Sequence, residues 1–309
     1  MWDVMCVGIG CLDVLIRGAD VTAPFLGEAK NCEQVALEVG GDAVNQAIAL
    51  RHLGVNAGLM TGLGTDATGG LILEQLKHKG VPTEDIVLSP GCSRVNVILI
   101  QNDGQRYFIH EAVPAKGSLF TPPLPAAGSA RVISIGSLLA PPFLTPEDID
   151  RFTAAAAASG AVLCADVMCN GRLYSLDELK PGLSRLDYFF PNYEEASLLT
   201  GQRDLESITS ALLDCGIKHV VVKTGRDGCF ARSRQEQFFV PAVPARALDT
   251  TGAGDNFAAG FLCALLEGSS LFDCCRFAAA TAALSISQMG ASSRAISREQ
   301  VDALLKKIS

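Results

Sequence analysis

Short apolar runs, each followed by a turn and then by a stretch of helical periodicity, recur along most of this chain. They constrain its fold more than any other feature. Residues 4–9, 57–62, 132–135, 162–165, 188–190 and 219–223 read as strands. Residues 43–53, 69–79, 146–158, 193–200 and 205–215 read as the helices that follow them. Such alternation predicts an α/β fold with a central, mostly parallel β-sheet flanked by helices. The last third differs: residues 230–240 read as an antiparallel edge, and helices are expected at 253–267, 271–288 and 298–306. Two segments, residues 15–39 and 93–110, alternate residue by residue instead. Asp103-Gly104 marks a hairpin inside the second, so the two are expected to pair as a small sheet outside the main one. No internal repeat or separating linker is found, and residues 1–309 are expected to form a single domain with that sheet inserted.

Charge and cysteine usage narrow the class. There are 25 Lys+Arg against 33 Asp+Glu, a net charge of −8, which argues against a nucleic-acid partner. The most apolar stretches, residues 132–144 and 257–266, are interrupted and fall short of the roughly 18 residues a membrane span needs. Met1-Trp2-Asp3-Val4 has neither the basic nor the apolar part of a signal peptide. The 11 cysteines are odd in number, irregularly spaced and without a Cys-x-x-Cys pair, and the four histidines are too scattered to complete a zinc site. Settings such as Val4-Met5-Cys6-Val7 mark them as small buried hydrophobes. A soluble protein of the reducing cytoplasm is expected, with no membrane partner.

Several motifs sit where strands end. Gly8-Ile9-Gly10-Cys11-Leu12-Asp13 begins like a dinucleotide fingerprint, but Asp13 stands in place of the third glycine and no helix pattern follows. What remains is a carboxylate at a strand's C-terminal end, or simply a turn residue. Gly40-Gly41-Asp42-Ala43-Val44-Asn45 is a glycine pair entering an Ala-rich helix. Asp42 reads either as an N-cap or as a ligand group, and Asn45 falls in the first turn. Asp249-Thr250-Thr251-Gly252-Ala253-Gly254-Asp255 is the most informative segment. Its Gly-x-Gly turn opens into a long apolar helix, so unpaired N–H groups and the positive helix end aim at one point, with Asp255 beside it. A carboxylate next to an anion hole suits the base that takes an acceptor hydroxyl's proton during phosphoryl transfer. Asn192 with Glu195 is a capping box in its plainest reading, and two oxygen donors for hydrated Mg²⁺ in another. Lys223-Thr224-Gly225 with Gly228 forms either a nucleotide-holding turn or a hairpin.

Along essentially its whole length the chain resembles the ribokinase-like carbohydrate kinases, the PfkB family. Gly40 to Ala47 resembles that family's first signature and Asp249 to Phe257 its second, with the Asn192…Glu195 pair and Lys223-Thr224-Gly225…Gly228 in order between them. The resemblance implies a ribokinase-like sheet with a small β lid made from residues 15–39 and 93–110. It implies transfer of the ATP γ-phosphoryl group to a sugar hydroxyl. Asp255 would be the general base, and the amides of Gly252, Ala253, Gly254 and Asp255 would stabilise the transferring group. Asn192, Lys223, Thr224, Gly225 and Gly228 would serve the nucleotide, and Glu195 would serve Mg²⁺ through water. Asp13, Gly41 and Asn45 would hold acceptor hydroxyls, and Gly40, Asp42 and Asp166 are expected beside them. A monovalent cation such as K⁺ would sit on Asp249, Thr251, Ser285, Gln288 and Gly290. A homodimer through the lid is the expected assembly.

Departures shape the substrate expectation. Ribokinases have Lys-Gly after the glycine pair, where this chain has Asp42-Ala43, and an acid on the strand near residues 134–139, where this chain has none. Those carboxylates favour a neutral monosaccharide or polyol over a sugar acid. Arg94, Arg106 or Arg172 in the pocket would reverse that towards sugar phosphates or sugar acids, while 6% aromatic residues speak against a nucleoside. A catalytically silent sugar-binding protein is the alternative from another class.

Overall fold

The computed structural model describes residues 1–18, 31–101, 106–110, 120–169, 174–287 and 295–308. β1 (Trp2–Val7) stops two residues before its predicted end, at Gly8 with φ 155°. The chain then leaves the main sheet through β2 (Cys11–Arg17) and β3 (Gln34–Gly40), and α1 (Asp42–His52) brings it back to β4 (Ala57–Met60), parallel to β1. The predicted strand 57–62 breaks after Met60. Its end, β5 (Gly62–Gly64), pairs across α2 (Ala67–His78) with the unpredicted β6 (Val87–Ser89). β7 (Val95–Ile100) and β8 (Arg106–His110) follow.

From there the βα rhythm is regular: β9 (Ala130–Leu138), α3 (Pro146–Ala158), β10 (Val162–Val167), α4 (Leu176–Leu183), β11 (Tyr188–Phe189), α5 (Tyr193–Thr200), α6 (Leu205–Asp214) and β12 (His219–Lys223). Helix α4 escapes the sequence pattern because it is only eight residues long and holds Pro181, although its Ser175…Glu178 capping box was available as a signal. The edge predicted over 230–240 is a hairpin, β13 (Gly228–Ser233) and β14 (Gln237–Pro241), after which come α7 (Ala253–Leu266), α8 (Leu271–Ile286) and α9 (Arg298–Ile308).

The main sheet has the order β14-β13-β12-β11-β10-β9-β1-β4, parallel except for β13, which runs antiparallel to both its neighbours. Alternate residues of each strand feed two separate cores. Val4, Cys6, Val132 and Val221 pack with α1, α2, α7 and α8, while Met5, Val7, Ile133, Val220 and Val222 pack with α3 to α6. β1 is joined to β4 on one side and to β9 on the other. The crevice at the C-terminal ends of β1 and β9 is thus a topological switch point, the place where open α/β sheets bind ligands.

β3, β2, β7 and β8 form the expected second sheet. Its register puts Asp13 beside Asn96 and Ile98 beside Phe108, so Asp13, Asn96, Phe108 and Arg106 share one face. Val14, Ile16, Leu37, Val97 and Ile109 share the other. The predicted Asp103-Gly104 turn, Arg172, Gln288 and Gly290 lie outside the described residues. All 11 cysteines are free and eight are buried, as their apolar settings predict. Among the described residues no helix is long and apolar enough to cross a membrane.

Candidate active site

Two helix starts meet above the β1/β9 crevice. α1 begins at Gly41, with φ 101°, so Asp42 is its first helical residue and not the N-cap its position suggested. A Cβ at Gly41 would overlap the Ile9 carbonyl oxygen, and one at Gly40 would overlap the Asp13 carboxylate. Only a glycine pair lets β3 and α1 pass this close. Freed from capping, the Asp42 carboxylate accepts from the Ser137 hydroxyl at the end of β9. Burial pushes Asp42 up to about 6, against that hydrogen bond, and Asp166 adds to the rise. Asp13 is not at the end of β1, as expected, but inside β2. There its Oδ1 accepts from Asn96 Nδ2 at 2.9 Å and from the Cys11 thiol at 3.4 Å. Burial raises its pKa.

The second helix start carries the chemistry. α7 begins at Gly252, in the left-handed region with φ 68°, and no side chain caps its first N–H groups, although Ala253 N reaches back to Thr250 O at 3.3 Å. Asp255, in the first turn, accepts from Asn45 Nδ2 of α1 at 2.8 Å, which ties the two helix starts together across 210 residues of sequence. Burial first, then the nearby Asp42 carboxylate, hold the Asp255 carboxyl well above the usual carboxylate range. Asn45 Oδ1 is buried with no partner among the described residues, an acceptor waiting for a hydroxyl.

Beside this pair lies a cleft of about 600 Å³, lined by Asn192, Lys223, Thr224, Gly228, Gly254 and Phe257 among others. The buried Lys223 ammonium pairs with Asp166, and it would lie 3.2 Å from a Cβ built on Gly254, so it faces the turn before Asp255. Burial pulls the Lys223 pKa down, and the carboxylates of Asp166, Glu195 and Asp255 together more than offset it. Asp166, expected on the acceptor, is thus paired with a residue of the cleft lining. Thr224 Oγ1 is buried without a partner among the described residues. Asn192 and Glu195 do form the capping box, with Glu195 N donating to Asn192 Oδ1 at 2.8 Å and Asn192 N to Glu195 Oε2 at 2.9 Å. Burial and then Asp166 push Glu195 up to about 7. No group of three or more His, Cys, Asp or Glu among the described residues forms a ready metal cage.

Of the residues expected to hold a monovalent cation, Asp249, Thr251 and Ser285 are described, and each is engaged within the protein. Asp249 Oδ1 takes the Arg106 guanidinium from β8 and the Thr251 N–H at 2.7 Å. The Ser285 hydroxyl bonds back to Ala282 O at 2.8 Å within α8. A second cation about 4 Å from the guanidinium would meet a repulsion of about 4 kcal/mol at an effective dielectric of 20. The sequence reading missed Ser137, Asn96 and Cys11 as site groups, and it offered Arg106 as a pocket residue and not as the partner of Asp249. Had residues 11–17 been read as a strand, period-two alternation would have placed Cys11 beside Asp13.

A carboxylate beside a helix start with no side-chain cap, a cleft along one side and the second sheet on the other meet the needs of phosphoryl transfer to an alcohol. The protein is a phosphotransferase by class. Comparison with known proteins gives the family: the profile of the pfkB family carbohydrate kinases matches residues 1–298, and the chain belongs to that family. It is 31% identical to a ribokinase of Arabidopsis thaliana over 92% of this chain and 76% of that protein. It is 27% identical to the 2-dehydro-3-deoxygluconokinase of Bacillus subtilis over 95% of each. The solved structure of Arabidopsis thaliana ribokinase complexed with ribose and ATP superposes with a TM-score of 0.81 at 28% identity, covering 99% of both chains.

Proposed function

We propose that this carbohydrate kinase moves the γ-phosphoryl group of ATP to a hydroxyl of a small neutral monosaccharide or polyol. The observation that carries the reading is the Asp255–Asn45 bond at 2.8 Å, which holds a carboxylate beside the uncapped start of α7. Asp255 takes the acceptor's hydroxyl proton, and the new O–P bond forms as the bond to the ADP oxygen breaks. The amides of Gly252, Ala253, Gly254 and Asp255 stabilise the charge on the transferring group. Asn45, Asp13, Gly40, Gly41 and Asp42 line the acceptor side, with Asp166 reaching the cluster through Lys223. Asn192, Thr224, Gly225 and Gly228 line the cleft that the nucleotide would fill, with the unpartnered Thr224 hydroxyl supporting that use. Glu195, through water, would hold Mg²⁺, whose charge neutralises the phosphates.

The preference for a neutral acceptor rests on Asp42 and Asp13. A carboxylate on the acceptor about 5 Å from Asp42 would cost on the order of 3 kcal/mol at an effective dielectric of 20, about a hundredfold in affinity. ADP release measured over a panel of acceptors tests the function. In a matched pair of aldose and aldonic acid, kcat/KM should favour the aldose, and Asp42→Ala should narrow the gap. The 2-dehydro-3-deoxygluconokinase among the relatives favours a sugar acid as the second reading. A wild-type preference for the acid would establish it. The outer lid face leaves Val35 58%, Leu37 47% and Ile109 57% exposed, which supports a homodimer closed through the lid. Sedimentation equilibrium tests that assembly, and a monomer at working concentration rules it out.

A further inference from the structure

Arg106 stands on the same lid face as Asp13 and Asn96, yet its guanidinium crosses out of the lid sheet to Asp249. Both side chains are almost closed to solvent, at 14% and 4% exposure. Asp249 is itself fixed from three sides. Its own N–H and that of Leu248 bond Ile286 O at the end of α8, and the Oδ1 that meets Arg106 also accepts the Thr251 N–H. Thr251 directly precedes Gly252, the left-handed residue on which α7 opens. A single carboxylate oxygen therefore links the lid to the turn that aims the α7 amides.

We propose that Arg106 is a positioning residue for phosphoryl transfer. Its guanidinium supplies, from the lid, the positive charge on Asp249 that shapes residues 249–252, and so makes the anion hole form with the lid closed and without a monovalent cation. The inference rests on the reading of residues 252–255 as the phosphoryl site. It differs from a simple structural salt bridge in one respect: removing the guanidinium opens a place that a small cation can fill.

The test is a cation series on the wild type and on Arg106→Ala, at matched ionic strength. Wild-type kcat should agree within about twofold in potassium, ammonium, sodium and tetramethylammonium chlorides, since screening alone is then constant. Arg106→Ala should lose on the order of 10- to 100-fold in kcat, the scale of a catalytic group displaced by about 1 Å. Potassium or guanidinium, but not tetramethylammonium, should restore part of it, and Asp249→Asn added to Arg106→Ala should abolish the rescue. Melting temperature reads the same contrast without turnover: potassium should raise it for Arg106→Ala and leave the wild type unmoved. Failure of the kinase reading thus shows as absent ADP release while the melting contrast persists. Several-fold activation of the wild type by potassium, or Arg106→Ala without change in kcat and without a cation-dependent melting shift, would overturn the proposal.

Discussion

Among the described residues, seven helices begin in the ordinary way, with a side chain that accepts from the first turn: Asp66, Thr145, Ser175, Asn192, Asp204, Ser270 and Ser297. α1 and α7 do not. Each starts on a glycine at positive φ, 101° and 68°, with no capping side chain, although each has an aspartate in its first turn. Those aspartates bond sideways instead, Asp42 with Ser137 and Asp255 with Asn45. A side-chain cap satisfies helix N–H groups internally, and its omission leaves them for a ligand. The contrast locates the site without reference to any motif: the two uncapped starts face each other, and the capped ones, α5 excepted, end elsewhere.

The strongest way to break this comparison is to neutralise the acid on the α7 side. Asp255→Asn should lower kcat by about 10²–10⁴-fold while acceptor binding stays within a few-fold, because general-base catalysis is worth that much. A variant retaining more than about a tenth of the rate would show that Asp255 is not the base. Next come the glycines. Gly41→Ala must relieve both positive φ and overlap with the Ile9 carbonyl, and should lower stability by about 2–4 kcal/mol. Gly252→Ala meets the φ penalty of about 1–2 kcal/mol and should act more on kcat than on melting. Equal melting losses in the two variants would mean that the starts are not held in different ways.

Asp42 sharpens the comparison through pH. Its folded pKa, about 6, lies above the ordinary 3.8. Its contribution to stability is therefore complete below about pH 4 and is lost as pH rises through about 6, amounting to no more than about 3 kcal/mol. The unliganded protein should melt at a higher temperature near pH 5 than near pH 8, and Asp42→Asn should flatten that slope. Because the Asp42 charge helps to raise Asp255, the same variant should move the acidic limb of kcat/KM to lower pH. A limb that stays in place would show the two helix starts to be electrostatically independent.

How far the sequence reaches is clearest from particular residues. The strands of the main sheet and the pairing of the two alternating segments follow from local period, because burial on one or both faces is written into each run. The places where the reading slipped are set by contacts between distant segments. Asp42 looks like a cap until the Ser137 hydroxyl at the end of β9 claims it, 95 residues away. Arg106 was noticed only as a pocket candidate, since nothing near it in sequence announces Asp249, 143 residues on. Nothing near Asp166 in sequence announces Lys223, its partner on another strand. Helix α4 was lost to its own Pro181.

The smallest effect tests whether a cap can belong to the site after all. α4 and α5 carry the same reciprocal box, Ser175 with Glu178 and Asn192 with Glu195. In α4 the exposed Glu178 is held below its ordinary pKa by the Ser175 hydroxyl, so its stabilisation is present above about pH 4.5 and is lost as pH falls below it. In α5 burial beside Asp166 reverses the direction, and the Glu195 contribution is lost as pH rises through about 7. Glu178→Gln should therefore lower the melting temperature slightly at pH 8, whereas Glu195→Gln should raise it, by about 2–4 °C for a chain of this size. A residue kept charged at a cost to stability has work elsewhere, and on the proposed reading that work is Mg²⁺. Glu195→Gln should raise the Mg²⁺ concentration for half-maximal activity, and Glu178→Gln should leave it alone. If both variants melt lower and neither changes the Mg²⁺ requirement, Glu195 is a cap like the others, and the metal must be held by groups outside this pair.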